Sequence, residues 1–144
     1  MSLRKQSARM KGGMEFSFVA LALGWFLGIS GCNGRSHADY VPDSTPARAA
    51  LITALESWKS GGNYDSIKSG KPAVEPHDSD WMNGRKLESF DVVKELPTQE
   101  GPKQFAVQLK FEDADESEEV VYFVLGRDPL LVYRGKDFEK ASGM

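Results

Sequence analysis

A single cysteine, Cys32, is the feature that most limits how this chain can fold. No disulfide can form within a chain that has one cysteine, so the folded part must be held together by its hydrophobic core alone. Residues 32–144 provide 113 residues. A chain of that size can form one domain that buries roughly two thirds of its unfolded surface. We therefore expect one domain with one core.

Cys32 also follows a basic segment and an apolar one. Four basic residues lie within the first 11 positions, and residues 16–29 form an apolar run of 14 residues. A membrane-spanning helix needs roughly 20 apolar residues, so this shorter run is typical of a secretory signal. Two small residues, Ser30 and Gly31, directly precede the cysteine. We assign residues 1–31 to a signal peptide that is cleaved before Cys32.

Residues 29–32, Ile-Ser-Gly-Cys, make this region resemble bacterial lipoprotein precursors, whose motif at this place is the lipobox. The resemblance implies that the sulfur of Cys32 carries a diacylglyceryl group and that the freed amine can receive a further chain such as palmitate. Two acyl chains anchor a protein stably to a membrane, whereas one binds marginally. The expected location is the bacterial cell envelope, at the periplasmic or outer face of a membrane. An ordinary secretory signal is the alternative, and Met1, Met10 and Met14 are alternative starts.

The chain after the signal is acidic. Residues 32–144 contain 14 basic and 20 acidic side chains, a formal charge of −6, and the basic ones are scattered between acids. Nucleic-acid binding needs clustered Lys and Arg, so we expect no nucleic acid as a partner. Residues 32–43 are polar and contain Gly34 and Pro42, which is typical of a flexible tether behind a lipidated N-terminus.

The domain is expected over residues 44–138, followed by a polar tail at 139–144. Residues 44–46, Ser-Thr-Pro, predict a helix start, because a hydroxyl oxygen caps a free amide and proline lacks one. The helix is predicted to end near Ser60, and a weaker helical turn is predicted over residues 64–69. Its apolar stripe recurs at three- and four-residue spacing: Ala47, Ala50, Leu51, Ala54, Leu55 and Trp58.

Period-two patterns later in the chain predict an antiparallel meander. Residues 105–111 alternate between apolar and polar side chains, while residues 120–125 are apolar on both faces, as in the interior of a sheet. The apolar phase slips within residues 85–96, which predicts a bulge. The strands are predicted at residues 73–75, 85–96, 105–111, 120–125 and 130–133. The fold class is α+β, with one long N-terminal helix packed on a bent antiparallel sheet of four to five strands.

This element order resembles the cystatin-like and NTF2-like group of folds, in which a bent sheet wraps a helix. The likeness covers about residues 44–135 and rests on architecture. The chain also resembles small uncharacterised bacterial envelope proteins, in which a helix like residues 47–58 precedes an Asp-x-Asp-Trp stretch, here residues 78–81. Neither likeness implies an activity. The nearest stretch to the inhibitory Gln-x-Val-x-Gly loop of cystatins, residues 99–101, lacks the valine.

One stretch places a histidine and two carboxylates close to an aromatic residue. His77 could form an acid–base pair with Asp78 or Asp80, because a neighbouring carboxylate can tune an imidazole near neutral pH. Together with Trp58 and Trp81, they form a candidate pocket for a small ligand or an NTF2-like enzyme reaction. The favoured interpretation is structural: an aspartate or serine here caps one helical turn that buries Trp81.

The metal-ligand patterns are incomplete. Residues 113–119 carry oxygen-bearing side chains at every second position, as at the start of a calcium loop, but Glu118 stands where that loop needs glycine. A solvated hairpin tip is favoured. Zinc needs three or four ligands, and with Cys32 modified only His37 and His77 remain as nitrogen donors. We expect no metal and no cofactor, and we assign no catalytic residue.

The two-faced strand at residues 120–125 carries the main functional hypothesis. If Tyr122 packs on the helix, Val121, Phe123 and Leu125 point to the opposite face, where one helix cannot cover them. An inverted phase would switch the whole set. Loops or the C-terminal tail could shield this face, or it could dock an envelope protein or a second copy.

The sequence therefore predicts a lipid-anchored, non-catalytic binding or interaction module. The alternative is an enzyme or small-ligand binder that uses a pocket between helix and sheet. A sealed core at that place favours interaction, whereas a cavity of about 300 Å³ or more with converging polar groups favours the alternative.

Overall fold

The computed structural model describes residues 40–144, so the predicted signal peptide, the predicted lipidation site at Cys32 and His37 lie outside the described residues. Three helices and five strands follow one another from residue 40. The helices are α1 (Ser44–Lys59), α2 (Ser79–Met82) and α3 (Gly135–Ser142). The strands are β1 (Val74–His77), β2 (Leu87–Leu96), β3 (Lys103–Phe111), β4 (Glu118–Gly126) and β5 (Leu130–Arg134). No helix among these residues is long and apolar enough to cross a membrane.

The five strands form one mixed sheet with the order β1-β5-β4-β3-β2. Strands β2 to β5 form the antiparallel meander that the sequence predicts. Strand β1, in contrast, pairs in parallel with β5, from Val74 opposite Leu130 to His77 opposite Tyr133. The expectation of a wholly antiparallel sheet is therefore corrected. Period-two patterns identify the faces of a strand but not the direction of its partner. The fold class is α+β.

The predicted irregularity in β2 is confirmed. The pairing of β2 with β3 shifts register twice, between Leu87 and Ser89 and between Val92 and Lys94. A bulge adds a residue to one strand and bends it. These shifts explain why the apolar residues of β2 do not keep a strict alternation.

Helix α1 covers one face of the sheet and contacts all five strands. Its predicted stripe is fully buried, and Leu51 and Leu55 are only 0% and 1% exposed. Burial of each such leucine stabilises the fold by roughly 1.5–3 kcal/mol. The sheet side of this core is formed largely by Phe105, Val107, Leu109, Phe111, Tyr122, Val124, Leu130 and Val132.

The two ends of α1 lie at opposite ends of the sheet. At its start, the Ser44 hydroxyl does not cap the helix as predicted; it donates a hydrogen bond to Glu95 Oε1 at 2.8 Å, near the end of β2. At its end, Trp58 Nε1 donates to the carbonyl of Arg85 at 2.7 Å, just before β2 begins. The helix therefore runs antiparallel to β2. The chain enters at one end of the sheet, and Trp58 marks the other, distal end.

Two segments differ from the sequence-based expectation. Residues 64–69 form hydrogen-bonded turns rather than a helical turn. Residues 139–142, assigned above to a polar tail, continue helix α3. The helix is short and Phe138 is its only large apolar residue before the C-terminus, so it has no repeating apolar pattern that would reveal it.

Candidate functional site

The turn around Asp78 has the structural role that the sequence favours. Asp78 is the N-cap of α2, and its Oδ1 accepts hydrogen bonds from the backbone N–H groups of Asp80 and Trp81, at 2.9 and 3.3 Å. The turn ends at Asn83, and Gly84 follows with φ of +82°. Trp81 is buried, with 8% of its surface exposed. The predicted capped turn is confirmed.

The second oxygen of Asp78 is also engaged. The hydroxyl of Tyr122 donates a hydrogen bond to Asp78 Oδ2 at 2.5 Å, and both residues are 2% exposed. Burial raises the pKa of Asp78, although the Tyr122 hydroxyl, the charge of Arg134 and the two backbone donors act in the opposite direction. Burial and the neighbouring carboxylate raise the pKa of Tyr122 well above its ordinary value. Tyr122 is therefore a neutral phenol that donates its proton to the Asp78 carboxyl group in a hydrogen bond.

Arg134 supplies the buried positive charge of this cluster. It is 6% exposed, and its guanidinium forms ion pairs with Asp80 and Glu118 and lies 3.7 Å from Asp78 Oδ1. Burial alone would lower the pKa of Arg134, but the surrounding carboxylates raise it. Three carboxylates around one buried arginine compensate for its loss of hydration.

Asp80 connects this buried cluster to the surface. Its carboxylate accepts hydrogen bonds from Arg134, from Lys136 Nζ at 2.7 Å and from Arg85 Nη1 at 3.2 Å. Burial acts to raise the pKa of Asp80, but Lys136 and Arg134 outweigh it, and the pKa is lowered. Asp80 is therefore ionised and surrounded by cations, which does not suit a proton-transferring base.

An aromatic cluster lies beside these charges. The rings of Trp58 and Trp81 stack at 5.7 Å between centroids, and Phe111 packs against Trp58 at 5.6 Å. The guanidinium of Arg85 lies 3.5 Å from the centre of the Phe111 ring. Trp81 Nε1 also donates to the carbonyl of Gly62 at 3.3 Å. The two tryptophans predicted to line a pocket are thus brought together, but chiefly as core.

A surface depression of about 690 Å³ lies next to this aromatic cluster. Its walls include Trp58, Trp81, Tyr64, Lys59, Arg85 and Glu112. The depression exceeds the size set above for a small-ligand site. However, it opens outside the helix–sheet core, and the two tryptophans are only 4% and 8% exposed.

His77 lies apart from the other predicted pocket residues. It lies on the sheet face opposite α1, where its ring stacks on Tyr133 with 4.2 Å between centroids. Its nearest carboxylate is that of Glu75, 3.6 Å from Nε2. Burial lowers the pKa of His77, and this effect exceeds the opposing effect of Glu75. The structure does not bring His77 into the depression beside Trp58 and Trp81.

The acidic hairpin contains an internal cation, the ammonium group of Lys110. Lys110 Nζ donates hydrogen bonds to the carbonyl oxygens of Ala114 and Asp115, at 2.6 and 2.5 Å. Asp113 pairs with Arg85 Nε at 3.1 Å. Within residues 40–144, no group of three or more His, Cys, Asp or Glu side chains is placed to hold a metal ion.

The predicted interaction face has the predicted phase. Tyr122 and Val124 point to α1 and are buried, whereas Val121, Phe123 and Leu125 lie half-buried on the other face of β4. Phe123 is covered by helix α3, whose Phe138 ring stacks on it with 4.4 Å between centroids. Leu125 lines a groove beside the point where the chain enters the domain.

The polar residues around Asp78 and Asp80 form one group, which we call the distal cluster. Its other members include Tyr122, Arg134, Arg85 and Glu118, and the sequence analysis did not identify these four. A signal was present for one of them, because Leu130, Val132 and Arg134 occupy successive inward positions of β5. A charged residue that continues a buried phase needs partners of opposite charge. Comparison of the chain with protein-family models, curated proteins and solved structures finds no match.

Proposed function

We propose that this chain is a lipid-anchored, non-catalytic binding or interaction module of the bacterial cell envelope. The observation that carries the proposal is the apolar row Val121, Phe123 and Leu125 on the sheet face opposite the main core. Helix α3, which is eight residues long, contacts both β4 and β5 on this face. Aromatic residues, including Phe, are enriched at protein interfaces, and Phe123 is the aromatic member of this row.

The polar cluster supports a binding role over a catalytic one. Asp78, one of the two carboxylates that the sequence offers as an acid–base partner of His77, has both oxygens engaged by Tyr122 and by the backbone of α2. Asp80 is surrounded by three cations. These contacts stabilise the distal end of the fold and leave neither carboxylate free to exchange a proton with a substrate.

We further propose that the domain is cystatin-like in architecture, with a bent sheet around one principal helix. Two features support this finer class. Helix α1 contacts every strand, and β2 bends at its two register shifts. The parallel strand β1 is then an addition at the β5 edge of the sheet.

The membrane anchor is tested by the intact mass of the mature protein from bacterial membranes. We expect a chain that begins at Cys32 and carries at least two acyl chains. Cys32→Ser should block lipidation and leave an uncleaved precursor or a released domain. A wild-type protein that begins at another residue, or that has no acyl mass, would contradict the anchor and the envelope location that depends on it.

The interaction role is tested by photo-crosslinking in intact cells. A photoreactive amino acid at Leu125, beside Phe123 on the proposed face, should give a discrete crosslinked product. The same probe at Glu116, an exposed residue at the tip of the acidic hairpin, is the control. Equal products from both positions would show that the face has no selective partner.

The depression beside Trp58 and Trp81 supports a second candidate, a small-ligand-binding or NTF2-like enzyme domain. Its volume of about 690 Å³ and its charged walls at Lys59, Arg85 and Glu112 fit a polar small molecule. A ligand there should change tryptophan fluorescence, and Arg85→Ala should weaken its binding. A ligand whose affinity is unchanged by Arg85→Ala binds elsewhere.

A further inference from the structure

Helix α3 is held against the sheet by a small number of contacts. Phe138 stacks on Phe123 and meets Tyr133 edge-on, with centroids 4.4 and 5.8 Å apart. Two polar contacts connect its first turn to α2: Lys136 Nζ to Asp80 Oδ1 at 2.7 Å, and the backbone N–H of Ser79, which donates to Asp137 Oδ2 at 2.9 Å.

These contacts are weak compared with those of the core. No residue of α3 is fully buried, whereas α1 buries six. A helix of eight residues is marginal by itself and depends on its packing for stability. The ion pair is partly exposed, since Lys136 keeps 51% of its side-chain surface accessible, and exposed pairs stabilise only slightly. Local opening of α3 therefore costs much less free energy than unfolding of the sheet.

We propose that α3 is a reversible, autoinhibitory cover of the interaction face around Phe123. This inference rests on the proposed function, because it concerns regulation of the same face. In the closed form, Phe138 occupies the surface that a partner would contact on Phe123 and Tyr133. Release of α3 exposes these two rings without disturbing the buried face of β4, since Tyr122 and Val124 point the other way.

The contacts of α3 also define the partner that can replace it. We infer that the partner binds as a helix whose side chains make the same kinds of contact as those of α3. It carries an aromatic ring to stack on Phe123, a cation to meet Asp80 and a carboxylate to accept from the Ser79 N–H group. The Phe138, Lys136 and Asp137 contacts give the positions of these three groups. Such a helix-on-surface contact is a common mode of peptide recognition.

Amide hydrogen exchange of the full chain in detergent tests whether α3 opens independently of the rest of the domain. Amides of α3 should exchange through local opening, well before those of α1 and β4. Lys136→Ala should speed α3 exchange about two- to fivefold, as expected for loss of one exposed ion pair. Phe138→Ala should speed it at least tenfold. Lys140→Ala, a matched change on the same helix at a lysine outside these contacts, should have little effect. Exchange of α3 only together with α1 would overturn the proposal.

A labelled peptide of residues 134–144 tests whether a helix with the side chains of α3 binds the face around Phe123. It should bind the full-length Phe138→Ala variant at least tenfold more tightly than the wild-type chain, in which α3 competes. Adding Phe123→Asp to that variant should abolish binding. Equal binding to wild type and to Phe138→Ala, or no binding to either, would overturn the assigned chemistry. Absence of a selective Leu125 crosslink from the chain with an intact Phe123 would instead contradict the proposed function itself, whatever the peptide result.

Discussion

Removal of the buried Tyr122 hydroxyl should measure how much its hydrogen bond to Asp78 contributes to the free energy of unfolding. Tyr122→Phe deletes the donor to Asp78 Oδ2 and leaves the ring in place. A hydrogen bond to a charged group stabilises a fold by roughly 1.5–3 kcal/mol. Asp78 keeps two backbone donors and Arg134 nearby, so we expect the lower part of that range, about 2 kcal/mol. For a domain of this size, that loss lowers Tm by roughly 8 °C.

The pH dependence of this effect gives an independent check. Because the Tyr122 hydroxyl favours the ionised form of Asp78, its removal raises the already raised pKa of that carboxyl. A folded-state pKa above the unfolded one means that the folded state binds the proton first. The variant should therefore recover stability as pH falls toward the folded pKa of Asp78, and the difference from wild type should shrink.

A double-mutant cycle that combines Tyr122→Phe with Asp78→Ala provides the assay, because alanine removes the acceptor of this hydrogen bond. Unfolding in urea of the wild type, the two single variants and the double variant should give a coupling free energy of about 1–2 kcal/mol for this pair. A coupling near zero, or a Tyr122→Phe variant as stable as wild type at pH 7, would refute the view that the contact is structural.

Two further substitutions test the packing around Trp81 and the environment of His77 on the sheet face opposite α1. Trp81→Ala should lower the free energy of unfolding by about 3–5 kcal/mol, measured in urea, because it truncates a buried aromatic residue that stacks on Trp58. His77→Gln should flatten the pH dependence of stability. Since burial lowers the pKa of His77, the unfolded state takes up its proton first as pH falls below about 6.5, and wild type loses stability there. A wild type and His77→Gln variant with parallel Tm profiles between pH 7.5 and 5 would contradict this reasoning.

Much of the fold could be predicted because its patterns are local. The stripe of α1, the alternation of β3 and the two-faced β4 follow from spacing alone, and all three are present. The bulge in β2 was also visible as a phase slip. The parallel pairing of β1 with β5 was not, because it joins segments more than 50 residues apart and four residues of β1 carry too little pattern.

The site was predicted less completely, for a similar reason. The cap at Asp78 is a local interaction, so its residue types were sufficient to identify it. Tyr122 and Arg134 reach Asp78 from other strands, and only the sheet register brings them there. His77 lies next to Asp78 in sequence yet points to the opposite face. Because His77 and Asp78 are neighbours in the chain, the sequence suggested that they line one pocket. The alternation of side chains along a strand instead places them on opposite faces of the sheet.

The interaction role is tested most directly by separating binding from folding at Phe123. Phe123→Asp should reduce the crosslink from Leu125 in cells at least tenfold. The free energy of unfolding of the core should fall by no more than about 2 kcal/mol, since Phe123 loses one aromatic contact outside that core. Val93→Asp, at an exposed apolar residue of β2, should leave both quantities nearly unchanged. A Phe123→Asp chain that unfolds while showing no separate loss of crosslinking would contradict the proposal, because the face would then be part of the core.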